Sequence, residues 1–371
     1  MSRRPKAKPV FQLETLESRK LLTTGGPSVE AGYMLELINE ARTNPQAAAV
    51  RFTTNLDANV QATINYFNVD IQQVRNDIAS ATPRQPLAWN DQLAAAATWQ
   101  SQDQANTGVQ SHAGSDGSNS SQRIARNGYQ NTTVQGENAY AYSQSVDHAM
   151  EAFLIDWGVQ SLGHRNNLLQ PNANDQSSYE EVGIGIADTN RPGFGPKVIS
   201  QDFASRSDYK SQLLGVIYND TNHDGSFNMG EGQGNVQIDA TNLASGQTQS
   251  VQSWDNGGYQ LPLDPGQYKV VAHVGDRIFR TDYISMGTRN MKVDYNLNQP
   301  WQVVSTPVQP VPVTAPVVVA PQPQPQPQPQ VQMQTLAPVN TSVVANTFAA
   351  FKAPKPKSDS WFSWGSWRSR A

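Results

Sequence analysis

The run SVDHAMEAFLIDWGVQSLGHRNNLL, residues 145–169, decides how the first half of this chain is read. Val146, Ala149, Met150, Phe153, Leu154 and Trp157 fall at helical spacing and form an apolar stripe over three turns, so a helix follows Ser145. Downstream, Val182–Ala187 and Val198–Phe203 are short β-type runs. Upstream, Met34, Leu37, Ile38 and Ala41 repeat the helical pattern, Asn44-Pro45 punctuates it, and Asn90 is placed to cap an alanine-rich helix. Helices first and a few strands afterwards predict an α+β domain over residues 28–208.

Beyond Asp208 the signal changes to short strands parted by turns. Leu213–Tyr218, Val236–Ala240, Gly258–Leu263, Tyr268–Val274 and Ile278–Tyr283 are separated by turn chemistry such as Asp255-Asn256-Gly257-Gly258 and Asp264-Pro265-Gly266. This predicts a small β-sandwich over residues 209–298. Residues 299–351 carry no charge and include the alternating Pro-Gln tract at 321–330, which reads as a disordered, extended linker with nothing to bury. Residues 352–371 form a basic tail crowded with Trp361, Phe362, Trp364 and Trp367, suited to contact with an anionic envelope surface.

Composition narrows the function classes. With 371 residues, 37% hydrophobic and 16% charged, the chain is long for one domain and thin for a uniformly packed one. No run approaches the roughly 18 apolar residues of a membrane helix, so no membrane span is expected. Zero cysteines excludes disulfides, thiolate zinc sites and cysteine nucleophiles. The formal charge of -4 is unevenly spread: residues 1–25 hold six Lys/Arg against two Glu, residues 352–371 five against one Asp, and the body between them is acidic. An acidic body opposes phosphate, so nucleic acid is not an expected partner.

Two of the five histidines stand out. His148 lies about 200° round the helix from Val146 and is expected to face solvent, while His223 and His273 suggest no site. His112 and His164 sit in loops rich in glycine and small polar residues, SHAGSDGS (111–118) and SLGHRNNLL (161–169), with Glu137 between them in the glycine-led turn GENAY (136–140). Two imidazoles and a carboxylate brought together could hold Zn²⁺ or another divalent ion with an open position for water. The gaps of 25 and 27 residues match no local zinc motif, and by spacing alone the histidines read equally as ordinary hydrogen-bonding residues.

A second candidate site is compact. Asp220-Thr-Asn222-His-Asp224-Gly225-Ser-Phe-Asn228-Met-Gly-Glu231 fits the twelve-residue calcium-loop pattern at each specified position, with oxygen donors at 1, 3, 5 and 12 and glycine at 6. The predicted flanking elements are strands, which points to a structural ion and not a helix-pair sensor. The alternative is an Asp/Asn/Gly-rich turn without metal.

The ordered blocks SHAGSDGS, GENAY, SLGHRNNLL, EVGIGIA (181–187) and VISQDFA (198–204) resemble the CAP superfamily, the cysteine-rich secretory, antigen 5 and pathogenesis-related proteins, in its bacterial cysteine-free form. The resemblance implies an α-β-α sandwich whose cleft is lined by two histidines and two acids. His112, Glu137 and His164 match, with Asp116 as candidate for the fourth place or, equally, a turn residue. It implies binding of a divalent metal, lipid or other small ligand in various members. A hydrolase reading would have both histidines hold a metal and Glu137 act as general base; no nucleophile elbow, HExxH helix or phosphate loop accompanies it, which favours a binding module. The segment Asp57–Pro83 exceeds the family pattern and is expected to add a helix over the cleft.

Residues 212–298 resemble the calcium-binding B-type repeats of bacterial serine-aspartate adhesins, which implies a calcium-stiffened extracellular spacer. Residues 13–22 are similar to an N-terminal motif, LExLExRxLL, of surface or exported planctomycete proteins. Together these imply an extracellular or cell-surface protein, with a purely structural or adhesive surface role as a further alternative.

Overall fold

The structure, a computed structural model, describes residues 26–173 and 177–300. The N-terminal motif, the Pro/Gln tract and the aromatic tail lie outside the described residues.

Eight helices and twelve strands form among the described residues. The helices are α1 (Val29–Thr43), α2 (Pro45–Arg51), α3 (Ala58–Phe67), α4 (Ile71–Ala79), α5 (Asp91–Thr107), α6 (Ser120–Arg126), α7 (Val146–Ile155) and α8 (Gly163–Leu169). The first sheet runs β1-β3-β4-β2, from β1 (Ala88–Trp89), β2 (Thr132–Ser143), β3 (Glu181–Asp188) and β4 (Lys197–Arg206); only the β1–β3 pair is parallel. Caps set the helix starts. Ser28, Asn90 and Ser145 accept the amides of Ala31, Leu93 and His148, and Pro45 opens α2 behind Asn44.

Alternation along β3 sorts the layers. Val182 and Ile184 join the large core with α1 and α7, whereas Gly183 and Gly185 face α5. A Cβ on Gly183 would lie 1.9 Å from the Ala94 nitrogen, and one on Gly185 2.2 Å from the Ala97 carbonyl carbon. The glycines of EVGIGIA therefore let a helix backbone lie directly on the strand. The result is the expected α-β-α layering in an α+β fold.

Three readings change. GENAY is not a turn but the middle of β2, because Gly136 admits Tyr179: a Cβ there would lie 2.3 Å from the tyrosine oxygen. The segment beyond Asp57 makes two helices, whose Val60, Ile64, Val74 and Ile78 enter the core with residues of α2 and α7. His148 is buried, since the side of α7 away from the stripe is covered by the Tyr140 and Trp157 rings, at 6.0 and 5.7 Å.

The remaining strands are β5 (Gln212–Tyr218), β6 (Gln237–Asn242), β7 (Thr248–Gln252), β8 (Gly258–Pro262), β9 (Gly266–Val274), β10 (Arg277–Met286), β11 (Met291–Lys292) and β12 (Tyr295–Asn296). One sheet runs β10-β9-β6-β7; in the other, β5 pairs with β8, β11 and β12. Leu213, Ile217, Ile238, Val270 and Tyr295 fill the space between them. This β-region is fastened to the helical one. The Gln260 side chain bonds the Trp89 amide and carbonyl, extending the edge of β1, and Asn290 Nδ2 donates to the Pro86 and Glu180 carbonyls. Lys292 Nζ lies 2.7 Å from Glu36.

One strain shows on α7. Burial first, then Asp57 and Asp147, pushes the Glu151 carboxyl up to about 7. A raised acid binds its proton more tightly in the folded than in the unfolded chain, so its contribution is intact below its ordinary pKa and is lost as pH rises to about 7. Glu151→Gln should therefore leave the melting temperature unchanged near pH 3 and raise stability near pH 8 by about 1–2 kcal/mol, allowing for solvent screening. Equal shifts in calorimetric scans at both pH values would contradict this.

Candidate functional site

Two histidines, each tied to a buried carboxylate, define the site. His112 Nδ1 lies 2.7 Å from Glu137 Oε1, and the other Glu137 oxygen takes Arg123 Nη2 at 2.6 Å. The Glu137 side chain is 3% exposed and that of Arg123 fully enclosed, while the His112 ring is half exposed. Arg123 also donates to the His112 and Ser118 carbonyls, so one side chain of α6 holds both the loop and the acid beneath it.

His164 is placed differently. It is the second residue of α8, not a loop residue, and its Nδ1 lies 2.7 Å from Asp156 Oδ1. Asp156 ends α7 in the left-handed conformation, φ +60°, and its second oxygen accepts the Arg165 amide. Arg165 turns back to the Leu154 and Ile155 carbonyls, closing the end of α7. Leu162, at φ +51°, is a second left-handed residue just ahead of His164. Such conformations persist where surrounding contacts over-determine them, and they cluster at working sites.

The two halves are stitched together. Asn138, next to Glu137, donates to the His164 carbonyl at 3.3 Å, and Asn167 donates to the Glu137 carbonyl and to Asn138 Oδ1. Carboxylates only accept, so each imidazole donates from Nδ1, which puts the ring lone pair on Nε2. Asp116 stands apart: its oxygens take the Ser118 amide and the Arg126 guanidinium, the turn-residue alternative.

Residues 35–203 match the family model described as CAP, the cysteine-rich secretory protein family. They form a CAP domain. One solved structure that the chain resembles is an extracellular protein containing a SCP domain from Bacillus anthracis str. Ames, at 24% identity and a TM-score of 0.27. That likeness covers 39% of this chain and 40% of the other, so less than half of that protein is spanned. No curated protein matches the chain.

Within the CAP domain, the donor set fits a divalent ion in part. Among the described residues no group of three or more His, Asp or Glu side chains is placed to hold a metal. Glu137 gives one oxygen to His112 and the other to Arg123, so it stands behind the first imidazole as its partner. What remains is a pair of imidazoles with their second nitrogens oriented by carboxylates, the usual outer support of histidine ligands. Asp156, Arg123 and the fully buried Asp202 of β4 escaped the sequence reading. Asp156 did leave a trace, a lone acid inside the apolar run at 152–157.

The loop 220–231 lies outside the CAP domain, between β5 and β6. Asp220 accepts the Asp224 and Gly225 amides, Asp224 takes the side-chain amides of Asn222 and Asn228, and Glu231 accepts the Thr221 and Asn228 amides. Asp220, Asn222, Asp224 and Asn228 thus share one hydrogen-bonded circuit, with Glu231 closing the loop. Gly225, at φ +80°, makes the turn at position 6. Among the described residues these acids do not form a group of three placed to hold an ion, and their oxygens are taken by the loop's own amides.

Proposed function

We propose that this is an exported binding protein whose CAP cleft takes a divalent cation such as Zn²⁺ between His112 and His164, with a calcium-stiffened β-region as spacer. The observation that carries the cleft reading is the pair of Nδ1–carboxylate contacts, at 2.7 Å each, on separate elements joined through Asn138 and Asn167. Such pairing fixes the tautomer and the orientation of each ring. Two imidazoles leave remaining coordination positions for water or a small ligand. Binding is favoured over hydrolysis because Glu137 is committed to Arg123 and His112. Asp220, Asn222, Asp224, Asn228 and Glu231 would hold the calcium. Extracellular calcium modules bind at about 10⁻⁴ to 10⁻³ M, weak enough to need the concentrations met outside the cell. The family's secretory members agree with export.

Calorimetric titration of the full chain with Zn²⁺ tests the cleft. His112→Ala and His164→Ala should each weaken binding at least about tenfold, and Asp156→Asn by roughly 10–100-fold through loss of ring orientation. Identical isotherms for the wild type and the double histidine variant would dismiss the cleft as the cation site.

A further inference from the structure

Asp202 is the cross-strand neighbour of Glu137, on β4 opposite β2. It is fully buried, and neither of its oxygens meets a hydrogen-bond donor. On its other flank, β3 presents Gly183, which has no side chain to offer. Glu137 is also buried and has one oxygen on Arg123 and the other on His112. Two carboxyls therefore lie together in the sheet, and the one guanidinium beside them, that of Arg123, binds Glu137 alone of the two. An ionised Asp202 without a donor would cost several kcal/mol in desolvation.

We propose that Asp202 is a neutral carboxylic acid that donates its proton to Glu137, and that it acts as the positioning residue behind His112. The pair then carries one proton and one negative charge, matched by Arg123. Glu137 is held from the sheet side by Asp202, from α6 by Arg123, and presents an oxygen to the imidazole. Burial first, and then the charge of Glu137, pushes the Asp202 carboxyl well above the ordinary range, with Arg123 pulling the other way. The inference deepens the cleft reading above and rests on it for its use. Its test is run without added cation, so that failure of one is distinguishable from failure of the other.

The test uses the full chain at neutral pH. The infrared difference between wild type and Asp202→Asn should show loss of a protonated carboxylic-acid band. Loss of an ionised-carboxylate band instead would overturn the proposal and place a charged Asp202 against Arg123, whose Nε is also buried without a partner. Nitrogen-15 spectra of the imidazoles then test positioning. The side-chain amide introduced by Asp202→Asn keeps an N–H donor towards Glu137, so this variant should retain the Nδ1–H form of His112; Asp202→Leu should shift His112 towards the Nε2–H form and lower the melting temperature by about 5 °C. His112 spectra that are the same in both variants would overturn the positioning role. If Asp202→Leu fails to fold, an Asp202→Asn spectrum that has lost the Nδ1–H form does so as well.

Discussion

Arg123→Met is expected to destabilise the protein by about 3–5 kcal/mol, because it leaves Glu137 as a buried carboxylate with no counter-charge. The methionine keeps most of the apolar stem. What it loses is the 2.6 Å contact to Glu137 and the bonds to the His112 and Ser118 carbonyls. Urea unfolding of both proteins measures the difference. The double variant Arg123→Met/Glu137→Gln should recover part of it, since the charge left behind by the first change is removed by the second. A loss below about 1 kcal/mol would mean that water or another cation reaches Glu137, and the enclosed network described above would be wrong.

That network shows what a sequence gives up readily and what it withholds. The α7 stripe was legible because Val146, Ala149, Met150, Phe153 and Leu154 at period 3.6 have one simple reading, although Trp157, read as its sixth member, lies past the end of α7 and covers His148 instead; the β3 glycines were legible as a block. His112, Glu137 and His164 came from ordered blocks and not from spacing, since no local rule joins residues 25 and 27 apart. Their partners were invisible for a physical reason. Asp156 reaches His164 only because its backbone adopts φ +60° at the end of α7, and Asp202 meets Glu137 only through the β2–β4 register, which sequence does not fix. His148 was misjudged for a related reason: one apolar stripe predicts one buried face, but the opposite face of α7 is covered by aromatics from β2 and the loop after α7. The strand over GENAY was missed because glycine reads as a turn until Tyr179 is seen filling the space of its Cβ.

The same limit applies to the loop 220–231, whose pattern says nothing about where Phe227 points. It is buried against Tyr33 of α1, at 5.9 Å, and Tyr218 of β5, at 5.7 Å, and belongs to the core of the helical region. The eighth loop position is thus a plug between the two folded regions. Phe227→Ala should cost about 3–5 kcal/mol, the usual range for truncating a buried phenylalanine. It should also change the form of unfolding. With Gln260, Asn290 and Lys292 already bridging the regions, residues 26–300 of the wild type should melt in one calorimetric transition, and millimolar Ca²⁺ should raise it, because an ion bound only by the folded loop stabilises everything that unfolds with it. In Phe227→Ala the transition should broaden or split, with the calcium shift confined to the β-region part. Glu231→Gln should lose the calcium shift while keeping a single transition. If Phe227→Ala melts as sharply as the wild type with an undiminished calcium response, the loop does not couple the two regions and Phe227 contributes only local packing.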